Sequence, residues 1–193
     1  MGGPLKTSIA CSSNKEITFY DINHSLITAK HNWTAHDDVI TLLKRNFYGI
    51  SMFSGAANGS IHFWDLKSRP INPNIKMLRH TKSVTSVEQI NENCFYSSSL
   101  DSYILMWDIR NPQSPIQTLC PDRKNVISIK IHPNKEVLAA TTEKGLYTIS
   151  LSKNFPMTPL TNLNQKMNFA DICYDVKSGV LYTGKTEGDI ALY

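Results

Sequence analysis

Ile61-His62-Phe63-Trp64-Asp65-Leu66 returns 43 positions later as Ile104-Leu105-Met106-Trp107-Asp108-Ile109, an apolar run closed each time by tryptophan and aspartate. The same interval, give or take one residue, reaches Tyr20-Asp21 upstream and Ser150 and Tyr193 downstream, so five copies of one unit fill the 193 residues. Units of such a repeat stack, each burying faces that it cannot bury alone.

The unit that contains Trp107 shows the internal plan best. Val84-Thr85-Ser86-Val87 alternates, Asn91-Glu92-Asn93 turns, and Cys94-Phe95-Tyr96-Ser97 reads as a second strand. Leu100-Asp101-Ser102 turns again, and Tyr103 to Asp108 is the third strand. Pro115 to Leu119 is a fourth, in an edge position that suits prolines on either side, because proline cannot donate to an inner ladder. The plan repeats in Val39 to Leu43, Ile50 to Ser54 and Ile61 to Leu66, then in Val126 to Ile131, Val137 to Thr141 and Leu146 to Leu151. The last unit reads Ala170 to Tyr174, Val180 to Thr183 and Asp189 to Tyr193. Asn58-Gly59, Lys144-Gly145 and Glu187-Gly188 supply hairpin turns before the third strands. No helical period competes, so the chain is expected to be all-β, and a unit of this length with Trp-Asp closing its third strand is the mark of a propeller blade.

On these residues the chain resembles the WD-repeat family of β-propellers over essentially its whole length. The resemblance implies four-stranded antiparallel blades, here at about 7–34 in part, 35–79, 80–120, 121–163 and 164–193 in part, within one propeller region over 1–193. It also implies a buried network of a histidine before the first strand, a hydroxyl in the second, an aspartate in the turn before the third, and the third strand's tryptophan. His80, Ser97, Asp101 and Trp107 match all four positions. The preceding unit keeps His36, Ser54 and Trp64 but has Asn58 in the turn, an amide that accepts without charge assistance. Later units depart further, with Asn125 near the histidine position, Lys144 in the turn and Ser150 for tryptophan, then Glu187 with Tyr193. Those blades are expected to rely on apolar packing alone.

The ends carry information of their own. Thr7 to Ser13 reads as a second strand, since Ile17 to Ile22 is its third, and the last unit shows no fourth strand. The total is 18 strands, four and a half blades, in a family whose closed rings usually have about seven. Apolar faces and open strand edges are therefore expected at both ends. Three arrangements answer the shortage: a portion of a longer propeller, a partial propeller completed by another chain or segment, or a small ring closed by Gly2 to Lys6 or by self-association.

Composition narrows function. With 41% hydrophobic and 19% charged residues the chain can form a core, and no apolar run approaches the roughly 18 residues of a membrane span. The start lacks a signal-peptide pattern. Cys11, Cys94, Cys120 and Cys173 lie far apart in or beside strand-like runs and read as buried free thiols, which fits a reducing compartment, nuclear or cytoplasmic. Three Asn-x-Ser/Thr sequons, at Asn23, Asn32 and Asn58, read as chance in an Asn-rich chain. The net charge of +4 is spread too thinly to argue for nucleic acid.

Ser97, His80 and Asp101 are also the residue types of a hydrolase triad, but no Gly-x-Ser-x-Gly elbow surrounds any serine, and the repeat accounts for all three as internal structure. Catalytic, cofactor-binding and metal-binding residues are therefore expected to number none, the six histidines having no partner at ligand spacing. The expected role is a non-catalytic protein-protein interaction scaffold within a multiprotein complex. Family geometry puts the loops before first strands and the turns before third strands on one face, which nominates Asp38, Lys82, Leu100 and Glu143 as partner contacts. Leu100 is the sharpest, because it is apolar in a turn, and packing on its own blade is the competing account. Trp107-Asp108-Ile109-Arg110 is similar to the Trp-Asp-x-Arg box of substrate receptors in cullin-RING ubiquitin ligases, which makes Arg110 an alternative contact, to an adaptor. Lys67 holds the matching place one unit earlier, so the box occurs once.

Overall fold

The computed structural model describes residues 7–23, 26–46, 49–66, 72–152, 154–161 and 168–193. These form 18 strands and no helix, so no helix is long and apolar enough to cross a membrane. Five antiparallel meanders result. The first holds β1 (Thr7–Ser13), β2 (Glu16–Asn23) and β3 (Leu26–Thr34), in that order. The second is β4 (Ile40–Arg45), β5 (Ser51–Ala56), β6 (Ser60–Asp65) and β7 (Ile75–Leu78). β8 (Val84–Gln89), β9 (Cys94–Ser99), β10 (Ile104–Asp108) and β11 (Gln117–Leu119) make the third. β12 (Val126–Ile131), β13 (Val137–Thr142), β14 (Leu146–Ser150) and β15 (Met157–Pro159) make the fourth. β16 (Phe169–Tyr174), β17 (Leu181–Lys185) and β18 (Ile190–Leu192) make the fifth. This is a partial WD-type propeller.

The sheets stack through their leading strands, with β1 against β4, β4 against β8, β8 against β12 and β12 against β16. Apolar core therefore lies between sheets. Phe53, Ile61 and Met77 of the second sheet meet Val84, Val87, Phe95 and Trp107 of the third, while Tyr96, Ile104 and Leu119 on its other side meet Val126, Ile129 and Leu138 of the fourth. The second strands of the three middle sheets pay no regard to alternation, for β5 is buried throughout and β9 and β13 at all but their first residue, since both faces are covered. Gly55 in β5 marks how close the approach is: a Cβ there would lie 2.8 Å from the Val84 side chain of the next sheet.

One irregularity recurs in every sheet that has a first strand. The register slips by one residue between Ile40 and Leu42, Val84 and Ser86, Val126 and Ser128, and Phe169 and Asp171. A bulge leaves its extra residue unpaired and re-aims it. In the second and third sheets that residue is a threonine, and its hydroxyl crosses to the next sheet: Thr41 Oγ1 donates to Val84 O at 2.6 Å and Thr85 Oγ1 to Val126 O at 3.0 Å. Ser86 Oγ adds a bond to Ile129 O at 3.2 Å and Ser128 Oγ one to Asp171 Oδ1 at 2.8 Å. Further along the same strands Glu88 of β8 receives two ammonium groups, Lys44 Nζ from β4 at 3.0 Å and Lys130 Nζ from β12 at 2.7 Å.

Two expectations need correction. All four cysteines are free, but Cys11 and Cys173 are exposed and Cys94 and Cys120 half-buried, because strand alternation turns the first two away from the inter-sheet core. The second is that blades beyond the third sheet rely on apolar packing alone, which the polar contacts below contradict. Exposed apolar side chains on the first and last sheets include Leu26 and Ile27 of β3 and Ile190 and Leu192 of β18. Gly2 to Lys6 lie outside the described residues.

Candidate interaction surface

The face nominated by the sequence is built on a bond that recurs every 43 residues. The backbone N–H of the turn before each third strand donates to a carbonyl in the loop before the first: Ala57 to Val39, Leu100 to Ser83, Glu143 to Asn125 and Thr186 to Asn168, at 2.8 to 3.2 Å. Equivalent positions of four sheets thus line one rim, and neighbouring loops are held to neighbouring turns. In the third sheet Ser99 Oγ also donates to Lys82 O at 2.9 Å, so Lys82 and Leu100 stand side by side. Lys82 and Glu143 are exposed, while Asp38 and Leu100 are half-buried. Asp38 accepts from Val39 N at 2.8 Å, and Glu143 Oε1 from Asn125 Nδ2 at 2.7 Å. Gly59 has φ of 86°, and a Cβ on it would strike the His80 carbonyl of the next sheet.

Beneath the rim lies the brace that fixes it. Trp107 Nε1 donates to Ser97 Oγ at 2.8 Å, and Ser97 Oγ is 2.8 Å from His80 Nε2. His80 Nδ1 is 2.9 Å from Asp101 Oδ2, which also accepts from Thr81 N at 3.0 Å, while Tyr103 N reaches Asp101 Oδ1 at 3.1 Å. Every donor finds an acceptor when Ser97 donates to Nε2 and the imidazole carries its proton on Nδ1, a tautomer assigned from the network. Burial alone would raise the Asp101 carboxyl, but hydrogen bonding and charge from His80 and the two backbone N–H groups carry it below the usual range. Ser97 is fully buried and its oxygen already engaged from two sides, so these three side chains present no nucleophile to solvent.

In the second sheet His36 Nε2 lies 2.7 Å from Ser54 Oγ, which accepts from Trp64 Nε1 at 2.8 Å. Asn58 does not meet the imidazole directly. His36 Nδ1 meets Ser60 Oγ at 2.8 Å, and Ser60 Oγ donates onward to Asn58 Oδ1 at 2.8 Å, so a serine links the imidazole to the uncharged turn residue. His62 stacks on His36 with centroids 3.9 Å apart and bonds Ala35 O at 2.8 Å. Burial, then the neighbouring His62 and Lys76, push His36 down to about 3. His62 is also lowered, chiefly by burial.

The fourth sheet has its own polar centre, unforeseen from the sequence. Asp122 Oδ2 accepts from Thr142 Oγ1 at 2.7 Å and from Tyr147 OH at 3.1 Å, and burial together with that carboxylate pushes Tyr147 up to about 12. Asp122 follows His80 by 42 residues, which was the signal: a carboxylate has taken the histidine place. In the fifth sheet Asn168 Nδ2 donates to Glu187 Oε1 at 3.3 Å, while Thr183 Oγ1 is buried without a partner.

Arg110 stands elsewhere, just past β10. Its side chain is 69% exposed yet not free, since Nε and Nη2 grip Asp108 at 2.9 and 2.6 Å, and this grip holds Asp108 down to about 2. Lys67, its counterpart, lies outside the described residues.

The model of the WD domain, G-beta repeat, matches residues 72–108, a stretch that contains His80, Ser97, Asp101 and Trp107. Similar proteins include methylosome protein WDR77 of Xenopus laevis, 25% identical over 179 residues that cover 90% of this chain and 53% of that protein. WD repeat-containing protein 37 of Xenopus tropicalis is 26% identical over 142 residues, 68% of this chain and 28% of that one. Diphthine methyltransferase of Homo sapiens is 28% identical over 127 residues, 63% and 28% respectively. The chain thus spans about a quarter to a half of the length of the relatives it matches. The 43-residue repeat, the four-stranded sheets stacked on their leading strands and the tryptophan-closed brace all agree with those matches: the chain carries a WD repeat over residues 72–108 and is similar to WD-repeat proteins along most of its length.

Proposed function

We propose that this chain is a non-catalytic scaffold, a subunit of a multiprotein complex that binds other proteins through the rim carrying Asp38, Lys82, Leu100 and Glu143. WD-repeat proteins typically bind other proteins, and one relative is named for a methylosome. The observation that carries the reading is the rim bond repeated at Ala57, Leu100, Glu143 and Thr186, which holds loop to turn at the same place in each of four sheets while letting their side chains differ. Such a rim is preorganised, so a partner does not have to order it on binding. An enzymatic role finds no support in Ser97, His80 and Asp101, which are consumed in the brace. The free, partly exposed thiols favour a reducing compartment, nuclear or cytoplasmic. Native purification with molar ratios tests the proposal: a partner at fixed stoichiometry is expected, lost when Lys82→Glu and Leu100→Asp are combined. Retention of every partner by that folded variant counts against this face.

Arg110 keeps a second reading in view, that of a substrate receptor of a cullin-RING ligase. Asp108 presents the guanidinium outward in a fixed pose. That reading requires capture of the ligase adaptor, abolished by Arg110→Ala; a scaffold of the first kind is indifferent to this change.

A further inference from the structure

We propose that Ser114 is the acceptor of a proline-directed protein kinase and that Arg79 holds the phosphate it gains. The sequence contains two Ser/Thr-Pro dipeptides, Ser114-Pro115 and Thr158-Pro159, and the fold places them differently. Thr158 lies within β15, paired with Thr148 of β14, and its carbonyl accepts from Thr148 Oγ1 at 3.4 Å. A kinase that needs an extended segment would have to strip this strand from its sheet. Ser114 is exposed in the connection between β10 and β11, in no ladder. The connection is tied at its two ends, by Asn111 N to Asp108 O at 3.0 Å and Ile116 N to Met106 O at 2.7 Å, and Ser114 lies between these ties, outside the ladder.

Arg79 provides the independent observation. It belongs to the connection between β7 and β8, yet its Nε and Nη2 both donate to Gln113 O, at 3.2 and 3.0 Å. That carbonyl immediately precedes Ser114, and by standard backbone dimensions its oxygen lies about 3 Å from the Ser114 Cα. A guanidinium is thereby held next to the backbone of an exposed serine while two of its donors share one neutral acceptor. A phosphoserine carries a charge of roughly −1.5 to −2 at pH 7 and three strong acceptor oxygens, which match the planar fork of arginine. Arg79 then shifts from the Gln113 carbonyl to the phosphate. A bond from a cation to a neutral carbonyl between the two connections becomes an ion pair.

In the transfer, Ser114 Oγ bonds to the γ-phosphorus of ATP as the bond to the β,γ-bridging oxygen breaks and ADP departs with that electron pair. The hydroxyl proton passes to the carboxylate base of the kinase and on to solvent.

The test is incubation of the full chain with magnesium, ATP and a purified mitogen-activated or cyclin-dependent kinase, with sites mapped by mass spectrometry. Phosphate is expected on Ser114 and not Thr158, lost in Ser114→Ala and kept in Arg79→Gln. The melting temperature of the phosphorylated chain should rise by roughly 2 °C, and that rise should vanish in Arg79→Gln. An unmodified Ser114, or modification of Thr158 in its place, overturns the acceptor assignment. An equal rise in Arg79→Gln overturns the role of Arg79.

Discussion

Ser97 is the residue on which the third sheet's interior turns, since one oxygen serves both Trp107 and His80. Ser97→Ala leaves an indole N–H and an imidazole nitrogen buried without partners, at a cost of about 2 to 3 kcal/mol, measurable by urea denaturation. The substitution leaves no activity to lose if the chain is a scaffold, and the loss appears as stability. His36 makes the same sheet-to-loop link sensitive to acid. Its folded value of about 3 lies below the ordinary 6.5, so the unfolded chain takes up protons more readily as the pH drops. The stability it contributes is complete above about pH 6.5 and declines as the pH falls from there toward 3. His62, lowered as well, acts in the same direction, with Lys76 lowering both histidines and Asp37 opposing at His62. Urea midpoints across this window should fall with acid, and His36→Gln should flatten the slope; an unchanged slope would remove His36 from the account.

At the level of elements, strands were legible in the sequence because their apolar residues recur with the unit, and Trp64 and Trp107 fix the register of the third strand in two copies. The bulges were not. Skipping one residue near the start of Val84–Gln89 leaves the same apolar composition on either side, and the bulged residue itself changes from Thr41 and Thr85 to Ile127 and Ala170. The braces were legible where the residue types followed the family, at His80 and His36. They were obscured where another residue took over the chemistry, as Ser60 does for Asn58 and Asp122 does for a histidine. The rim pairs could not be found from side chains at all, because they are backbone bonds. The bulge threonines make a prediction at this scale. Thr85→Val keeps the shape and removes the bonds to the Val126 carbonyl and the buried Ser98 hydroxyl, for a loss of about 1 to 2 kcal/mol in urea denaturation. Thr41→Val removes the corresponding bond to the Val84 carbonyl, and because Val84 adjoins Thr85 the double variant should depart from the sum of the two losses.

For the molecule as a whole, stacking makes each sheet depend on its neighbours, and the first and last sheets have only one. Leu26, Ile27, Ile190 and Leu192 are exposed there. Strand β18 also offers an unpaired edge beyond its pairing with β17. The isolated 193-residue chain should therefore self-associate in a concentration-dependent way, and Ile190→Lys with Leu192→Lys should shift it toward monomer. Light scattering coupled to size exclusion distinguishes these outcomes. A wild-type chain that stays monomeric at every concentration would show these surfaces to be covered.

Glu88 sets the spacing of three successive sheets, because its carboxylate takes an ammonium from the sheet on each side. Its worth lies in the sign of its charge. Deleting Lys44 leaves a satisfied ion pair with Lys130, and deleting Lys130 leaves one with Lys44. Glu88→Gln instead leaves two cations facing each other across an uncharged amide of the same size, and attraction becomes mutual repulsion. The same three side chains would then act as a wedge where they had been a tie rod, prising the arc open at the height where its leading strands converge.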